Sequence, residues 1–214
     1  MALRGEALRE HIILSAKAVF LEQGFERTSM DEVAARAGSS KRTLYVHFGT
    51  KDALFQAVID LVRVMYGGRI RSPESYSADP VEAVACFCVQ FRQMLLWDPI
   101  LLNCRLVIAE SGRLPTAGAE LYDIFFVTTQ RKLAAYLETA LSLDPVRSQE
   151  LASQLLGSAA YPPFLRGLFG LEPGRPDKPG EAAVTESPEF PAIRRVVGAL
   201  LREELARASD IATR

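Results

Sequence analysis

Apolar residues recur along this chain at intervals of three and four, the spacing that lines one face of a helix, and no stretch alternates convincingly as a strand. From Glu6 to Gln23, the residues Ile12, Ile13, Ala16, Ala18, Val19 and Phe20 form a wide apolar stripe, which Gly24 ends. A second, very short helix begins at Ser29, where the Ser29 hydroxyl and the Glu32 carboxylate can each accept from the other residue's N–H. Met30, Val33, Ala34 and Ala37 give that helix its inward face, and Gly38 suits the left-handed residue that stops it. Ser39 or Ser40 can cap a third helix, with Leu44 and Phe48 four apart and facing inward. At about 100° per residue Arg42 and Val46 then point away, with Lys41, Thr43, Tyr45 and His47 on the flanks. Phe25 is expected to anchor the turn in a small core of Phe20, Val33, Leu44 and Phe48. Thr50 caps a fourth helix to about Tyr66, with Leu54, Val58, Leu61 and Met65 as its buried face.

The chain beyond residue 67 is punctuated differently. Gly67 to Ala78, rich in Gly, Ser and Arg, reads as a linker. Asp79-Pro80, Asp98-Pro99, Asp144-Pro145 and Ser187-Pro188 each place a capping residue before a proline suited to the first helical position, and Pro115 starts one more helix. The helices expected are Pro80 to Trp97, Pro99 to Ser111, Thr116 to Ser142, Pro145 to Leu168 with a break at Pro162-Pro163, and Pro188 to Arg207. Glu172 to Glu186, rich in Pro and Gly, reads as a mobile loop. The fold class is all-α, divided into residues 1–50, a connecting helix 51–66, and a larger helical part 67–214.

Two short helices joined by a glycine turn, the second basic and hydroxyl-rich, describe a helix-turn-helix whose second helix enters the DNA major groove. The run GFERTSMDEVAARAGSSKRTLYVHFGTKDALFQAV, Gly24 to Val58, resembles the N-terminal DNA-binding domain of TetR/AcrR-family transcriptional regulators. GF, TSMD, VA, AG, SK, TLY, HF, K and LF all occur in order at that family's spacing. Two positions depart from it: many members have Gly or Pro where Arg42 stands, and an apolar residue where Ser39 stands. Arg42 therefore implies a base preference of its own. The stretch RLVIAESGRLP, Arg105 to Pro115, resembles a segment of the AefR-like branch of C-terminal regulatory domains.

Charge alone would not have suggested DNA. The net charge is −1, and residues 1 to 51 hold eight Lys/Arg against six Asp/Glu. Three cysteines, Cys86, Cys88 and Cys104, make an odd count without disulfide-framework spacing and imply a reducing compartment. The polar start from Met1 to Glu10 is unlike a signal peptide, and no uncharged apolar run reaches the roughly 18 residues of a membrane span, so a cytoplasmic location is expected. Both histidines, His11 and His47, lie in the DNA-binding part, which leaves residues 67–214 without a Ser-His or Cys-His pair. No metal-ligand cluster and no phosphate-cradling glycine loop appears. Neither enzyme activity nor a cofactor or metal is expected.

For reading bases, Arg42 can grip a guanine edge with two hydrogen bonds and Thr43 can meet a thymine methyl. Thr28, Ser29, Ser40, Lys41, Tyr45, His47 and Lys51 suit phosphate, with Lys51 unfavourably placed for the helix dipole unless an anion meets it. Phe87 and Phe91 on one helix, and Tyr122, Phe126 and Thr129 on another, form facing aromatic stripes that can enclose a small, largely apolar effector, with Arg105 among the polar contacts. Homodimerisation is expected through the helices near 145–160 and 188–207, on the stripes Leu151, Ala152, Leu155, Leu156, Gly157 and Ala159, and Ile193, Val196, Val197, Leu200, Leu201 and Leu205; the family resemblance implies the same. The resulting expectation is a ligand-responsive repressor on a palindromic operator. The alternatives are a thiol-based redox sensor and a ligand-independent architectural DNA binder.

Overall fold

The computed structural model describes residues 5–67, 69–180 and 183–212, with side chains up to residue 206. Met1 to Arg4, and within the expected loops Gly68, Glu181 and Ala182, lie outside the described residues, as does the Arg207 side chain. Among the described residues the fold is all-α, with one isolated bridge between Trp97 and Arg175 and no strand. The chain forms two compact units, one from Met1–Gly67 with Leu102–Ile124, the other from Gly68–Leu101 with Phe125–Arg214.

The first unit begins with α1 (Glu6–Gln23), α2 (Met30–Arg36), α3 (Lys41–Phe48) and α4 (Lys51–Tyr66). The Ser29 capping box is present: Glu32 N–H donates to Ser29 Oγ at 3.2 Å and Ser29 N–H to Glu32 Oε2 at 3.5 Å. Gly38, at φ +57, turns the chain where a side chain would be strained, and Ser39 N–H closes back onto Ala34 O at 2.9 Å. Ser40 and Thr50 cap α3 and α4 by accepting from the N–H groups of Thr43 and Ala53.

The core of this unit differs from the one expected around Phe25. Phe20 and Phe25 stack at 5.5 Å, and Phe55 of α4 meets each of them edge-on at 5.2 Å. The helix α4 is buried on more than the one face expected: Phe55 faces Phe20 and Phe25, and α4 packs on α7 (Pro115–Tyr122) as well as on α1. Its buried residues are Leu54, Phe55, Ala57, Val58, Ile59, Val62 and Tyr66, whereas Leu61 and Met65 are half-buried. Gln56 Nε2 and Arg63 Nη2 both donate to Glu120 Oε2 of α7, at 2.7 and 3.1 Å. This second side of α4 is why Leu102–Ile124 clusters with residues 1–67, a division unlike the boundary expected at residue 67.

The second unit is built around α5 (Pro80–Leu96), in which every residue from Ala83 to Phe91 is buried. A helix apolar on all sides needs partners on all sides, supplied here by α8 (Thr128–Leu141), α9 (Pro145–Ala160), α10 (Pro163–Leu168) and α11 (Phe190–Ala212). Asp79 and Asp144 cap α5 and α9 as their Asp-Pro pairs predict. Two other starts are displaced. The helix α6 (Asp98–Ala109) includes Asp98, whose N–H donates to Arg175 O at 2.9 Å. Ser187 does not cap: its hydroxyl donates to Val184 O at 2.8 Å, closing a 3₁₀ turn, and α11 starts at Phe190. The single helix expected over Thr116–Ser142 is split by a π-helical segment, Asp123–Val127.

Composition suggested that Glu172–Glu186 would be mobile, yet its described part is pinned. Arg175 N–H donates to Leu96 O at 2.7 Å, Trp97 Nε1 to Pro176 O at 3.3 Å, and the Arg175 guanidinium pairs with the buried Glu189 carboxylate at 2.9 Å. Burial alone would raise the Glu189 carboxyl; Arg175, a backbone N–H and the Gln93 amide outweigh it and hold the group below its ordinary range.

The stripes assigned to dimerisation are largely spent inside this unit. Leu151, Ala152, Leu155, Leu156 and Ala159 of α9, and Ile193, Val197 and Leu201 of α11, are buried in the core around α5. An apolar stripe shows that a helix face is covered, and here the cover is the unit's own helices. The faces left outward carry Val146, Gly157 and Tyr161 near α9 and Val196 on α11.

Candidate nucleic-acid interface

Two buried anchors orient α3: Leu44 is fully buried and Phe48 nearly so. Arg9 adds its guanidinium carbon 5.4 Å from the Phe48 ring centroid. With that face fixed, Lys41, Arg42, Tyr45 and Val46 are exposed, while Thr43 and His47 are half-buried. Thr43 N–H donates to Ser40 Oγ at 3.1 Å, and the two hydroxyls lie 2.8 Å apart. Lys41 Nζ reaches across to the Asp31 carboxylate of α2 at 2.9 Å, which holds the ammonium above its ordinary range. Arg36 pairs with Glu22. Arg42 makes no hydrogen bond or ion pair among the described residues, so its five donors face outward together.

Two of the nine expected DNA-contacting residues are turned inward. Thr28 is 2% exposed and its Oγ1 donates to Gly24 O at 2.7 Å, so the hydroxyl holds the α1–α2 loop closed instead of facing phosphate. Lys51 donates to the carbonyls of Phe25, Thr28 and Glu26 at 2.8, 2.9 and 3.3 Å, with Nζ 4.2 Å from the Phe25 ring centroid. An ammonium has three donors, and these carbonyls take all three. They also resolve the charge conflict at the start of α4, since carbonyl dipoles stand where a phosphate was expected. Ser29 and Ser40 accept within their caps and remain exposed.

Lys51→Met should therefore leave three carbonyls with poorer partners and destabilise the first unit by about 1–3 kcal/mol. Salt titration of operator binding checks the assignment. If Lys51 holds the loop, affinity falls but the slope of log K against log salt stays the same. A lost phosphate contact would reduce that slope by about one.

A residue the sequence reading missed completes this scaffold. Arg113, in the turn between α6 and α7, sets its guanidinium carbon 3.6 Å from the Phe25 ring centroid. It also pairs with Asp52 at 2.7 Å, Glu110 at 3.3 Å and Glu26 at 3.7 Å. The RLVIAESGRLP segment drew attention by resemblance, but nothing in its spacing signals a partner near Phe25.

The expected effector residues divide between the units. Phe87, Phe91, Phe126 and Thr129 belong to the second and Arg105 and Tyr122 to the first, with Tyr122 59% exposed. In the second unit Phe126, within the π-helical segment, meets Phe91 edge-on at 6.0 Å and Phe164 of α10 at 5.8 Å. Phe164 was not anticipated because it follows the Pro162-Pro163 break. Two half-open cavities of about 520 and 430 Å³ lie elsewhere in that unit; polar groups of Gln93, Arg175 and Lys178 line the first, and of Glu74, Lys132 and Tyr136 the second.

All three cysteines are buried and free. Burial pushes the Cys88 and Cys104 thiols up to about 12, and burial with the neighbouring Glu82 raises Cys86. Thiolate, the form that oxidants attack, is scarce at neutral pH, which works against a redox sensor. Among the described residues no group of three or more His, Cys, Asp or Glu is placed to hold a metal, and no helix is long and apolar enough to cross a membrane.

Residues 12–58 match the family described as bacterial regulatory proteins, tetR family. Over 108 residues the chain is 30% identical to the HTH-type transcriptional repressor BepR of Brucella suis, covering 46% of this chain and 52% of that protein. The chain thus spans about half the length of this curated relative. The solved structure of a TetR-family regulator from Mesorhizobium loti shares the fold at a TM-score of 0.72 and 24% identity, covering 96% of this chain and 98% of the other. A structure named Flavonoid-responsive Regulator FrrA matches at a TM-score of 0.67 and 28% identity, covering 95% and 97%.

Proposed function

We propose, from the tetR-family match over residues 12–58, that the chain is a TetR-family regulator: a cytoplasmic, ligand-responsive transcriptional repressor that binds a palindromic operator as a homodimer. The observation that carries the DNA reading is Arg42: an arginine with no hydrogen-bond or ion-pair partner among the described residues, on the outward face of a helix whose inward face is locked by Leu44 and Phe48. Lys41, Tyr45, His47, Ser29 and Ser40 surround it as phosphate contacts that fix position without reading sequence. Lys41 exchanges Asp31 for a phosphate as it binds.

Arg42→Ala should cost about 1–3 kcal/mol on the cognate operator and relax the preference at one base position, measured by titrating wild type and variant on single-position operator variants. An equal loss on every sequence would show that Arg42 touches phosphate only.

The homodimer is supported by the outward faces of α9 and α11. Val146 and Tyr161 are 69% and 67% exposed and Val196 is 44% exposed. Gly157, in the last turn of α9, has open space where a Cβ would stand. An exposed helical glycine costs stability relative to alanine, a cost that a closely approaching partner helix would offset.

The proposed effector is small, largely apolar and aromatic, a class supported by the Phe91, Phe126 and Phe164 ring cluster of the second unit. The similarity to a protein named as flavonoid-responsive supports the same class. Effector binding changes the spacing of the two α3 helices through α4, and does so only by favouring one state of the dimer over the other. An effector that saturates the protein and leaves operator affinity unchanged would refute this step.

A further inference from the structure

Val46 has no role in the fold, and its placement is costly without one. It is 76% exposed at the centre of α3, while the apolar residues on either side, Leu44 and Phe48, are buried. A β-branched residue on the solvent face of a helix is less favourable than Ala, Lys or Arg, and an apolar side chain gains nothing there by burial in this chain. It lies one turn after Arg42, about 40° round the helix and about 6 Å along it. The surface Arg42 meets is therefore continued by Val46 at about the next base-pair step or two.

In the major groove the base edges present donors, acceptors and one apolar group, the 5-methyl of thymine. Thr43, expected to meet such a methyl, is poorly placed for it. Its side chain is half-buried, with Oγ1 2.8 Å from Ser40 Oγ at the start of the helix. Tyr45, 46% exposed, carries a hydroxyl suited to phosphate.

We propose that Val46 is a specificity-determining residue that packs against the 5-methyl group of a thymine one or two base pairs from the position read by Arg42. This rests on the reading of α3 as the helix that enters the major groove. It adds to the arginine contact a second base preference, for a methyl group rather than for a hydrogen-bonding pattern.

The test replaces each thymine of a selected operator half-site, one at a time, by deoxyuridine, which removes the methyl and nothing else. Wild type should bind about three- to tenfold more weakly at one thymine per half-site. In Val46→Ala that same substitution should change affinity by less than about twofold, with the variant's helix content unchanged and its thermal unfolding unchanged or slightly raised, since alanine is the better helix former at an exposed position. The proposal is overturned if deoxyuridine is tolerated at every position, or if the loss persists in Val46→Ala. A loss that persists there and vanishes in Thr43→Ser would make Thr43 the reader. Failure of the underlying reading looks different: no sequence is preferred at all, and Arg42→Ala binds as wild type does.

Discussion

Replacing Phe25 by alanine should remove about 3–5 kcal/mol from the stability of the first unit, the range for truncating a fully buried aromatic side chain. The ring is 2% exposed and is the point where the elements of that unit converge. Phe20 and Phe55 contact it from α1 and α4, and Lys51 and Arg113 hold their cations 4.2 and 3.6 Å from its centroid. Cation–ring attraction of about 0.5–2 kcal/mol per pair adds to the loss of packing, because both cations were placed against the ring face. Denaturant unfolding followed by circular dichroism measures this. Phe25→Leu, which keeps much of the volume, should cost less than half as much. A loss under 1 kcal/mol for the alanine variant would mean that the ring cluster does not organise the unit. Operator binding should fall with the fraction folded, since the loop from Phe25 to Thr28 sets where α2 begins.

The second large effect is expected in the other unit. Glu204 of α11 is 1% exposed and is held by Arg147 of α9, whose Nη2 and Nε donate at 2.8 and 2.9 Å. Removing one member of a buried ion pair leaves an uncompensated charge and costs about 3–5 kcal/mol when both are buried. The Arg147 side chain is 36% exposed. Water can therefore reach part of the vacated site, and Arg147→Ala should cost roughly 2–4 kcal/mol. The double variant Arg147→Met with Glu204→Leu should recover most of that loss, because the buried charge disappears with its partner. Losses that simply add would show that the pair is not coupled.

These two sites also mark where sequence reading stops. Local features were legible: the Ser29–Glu32 capping box, Gly38, the Ser40 and Thr50 caps and the Asp79 and Asp144 helix starts all depend on residues within a turn of one another. The inward and outward faces of α3 followed from the positions of Leu44 and Phe48 alone. Lys51 and Thr28 were misjudged because their partners are backbone carbonyls, which carry no residue signature; for Lys51 they lie 23 to 26 positions away. Phe55 was overlooked because its partners, Phe20 and Phe25, lie 35 and 30 positions earlier in the chain, on α1 and the turn after it. Arg113 had no signal in its own neighbourhood. On α9 and α11 the periodicity located the covered faces, but only the fold shows that α5 covers them, so those stripes are not available to a second chain.

Lys51 and Arg113 both act on the loop that positions α2 and α3, and Arg113 belongs to the α6–α7 turn. Arg113 holds Asp52, Glu110 and Glu26 together, tying three carboxylates to the side of the Phe25 ring.

Selection of duplexes from a random pool with the purified protein tests the central claim most directly. The expected result is an enriched palindrome with half-sites separated by about one helical turn or a multiple, bound by two chains. An asymmetric site bound by one chain, or a pool with no sequence enriched, would contradict it.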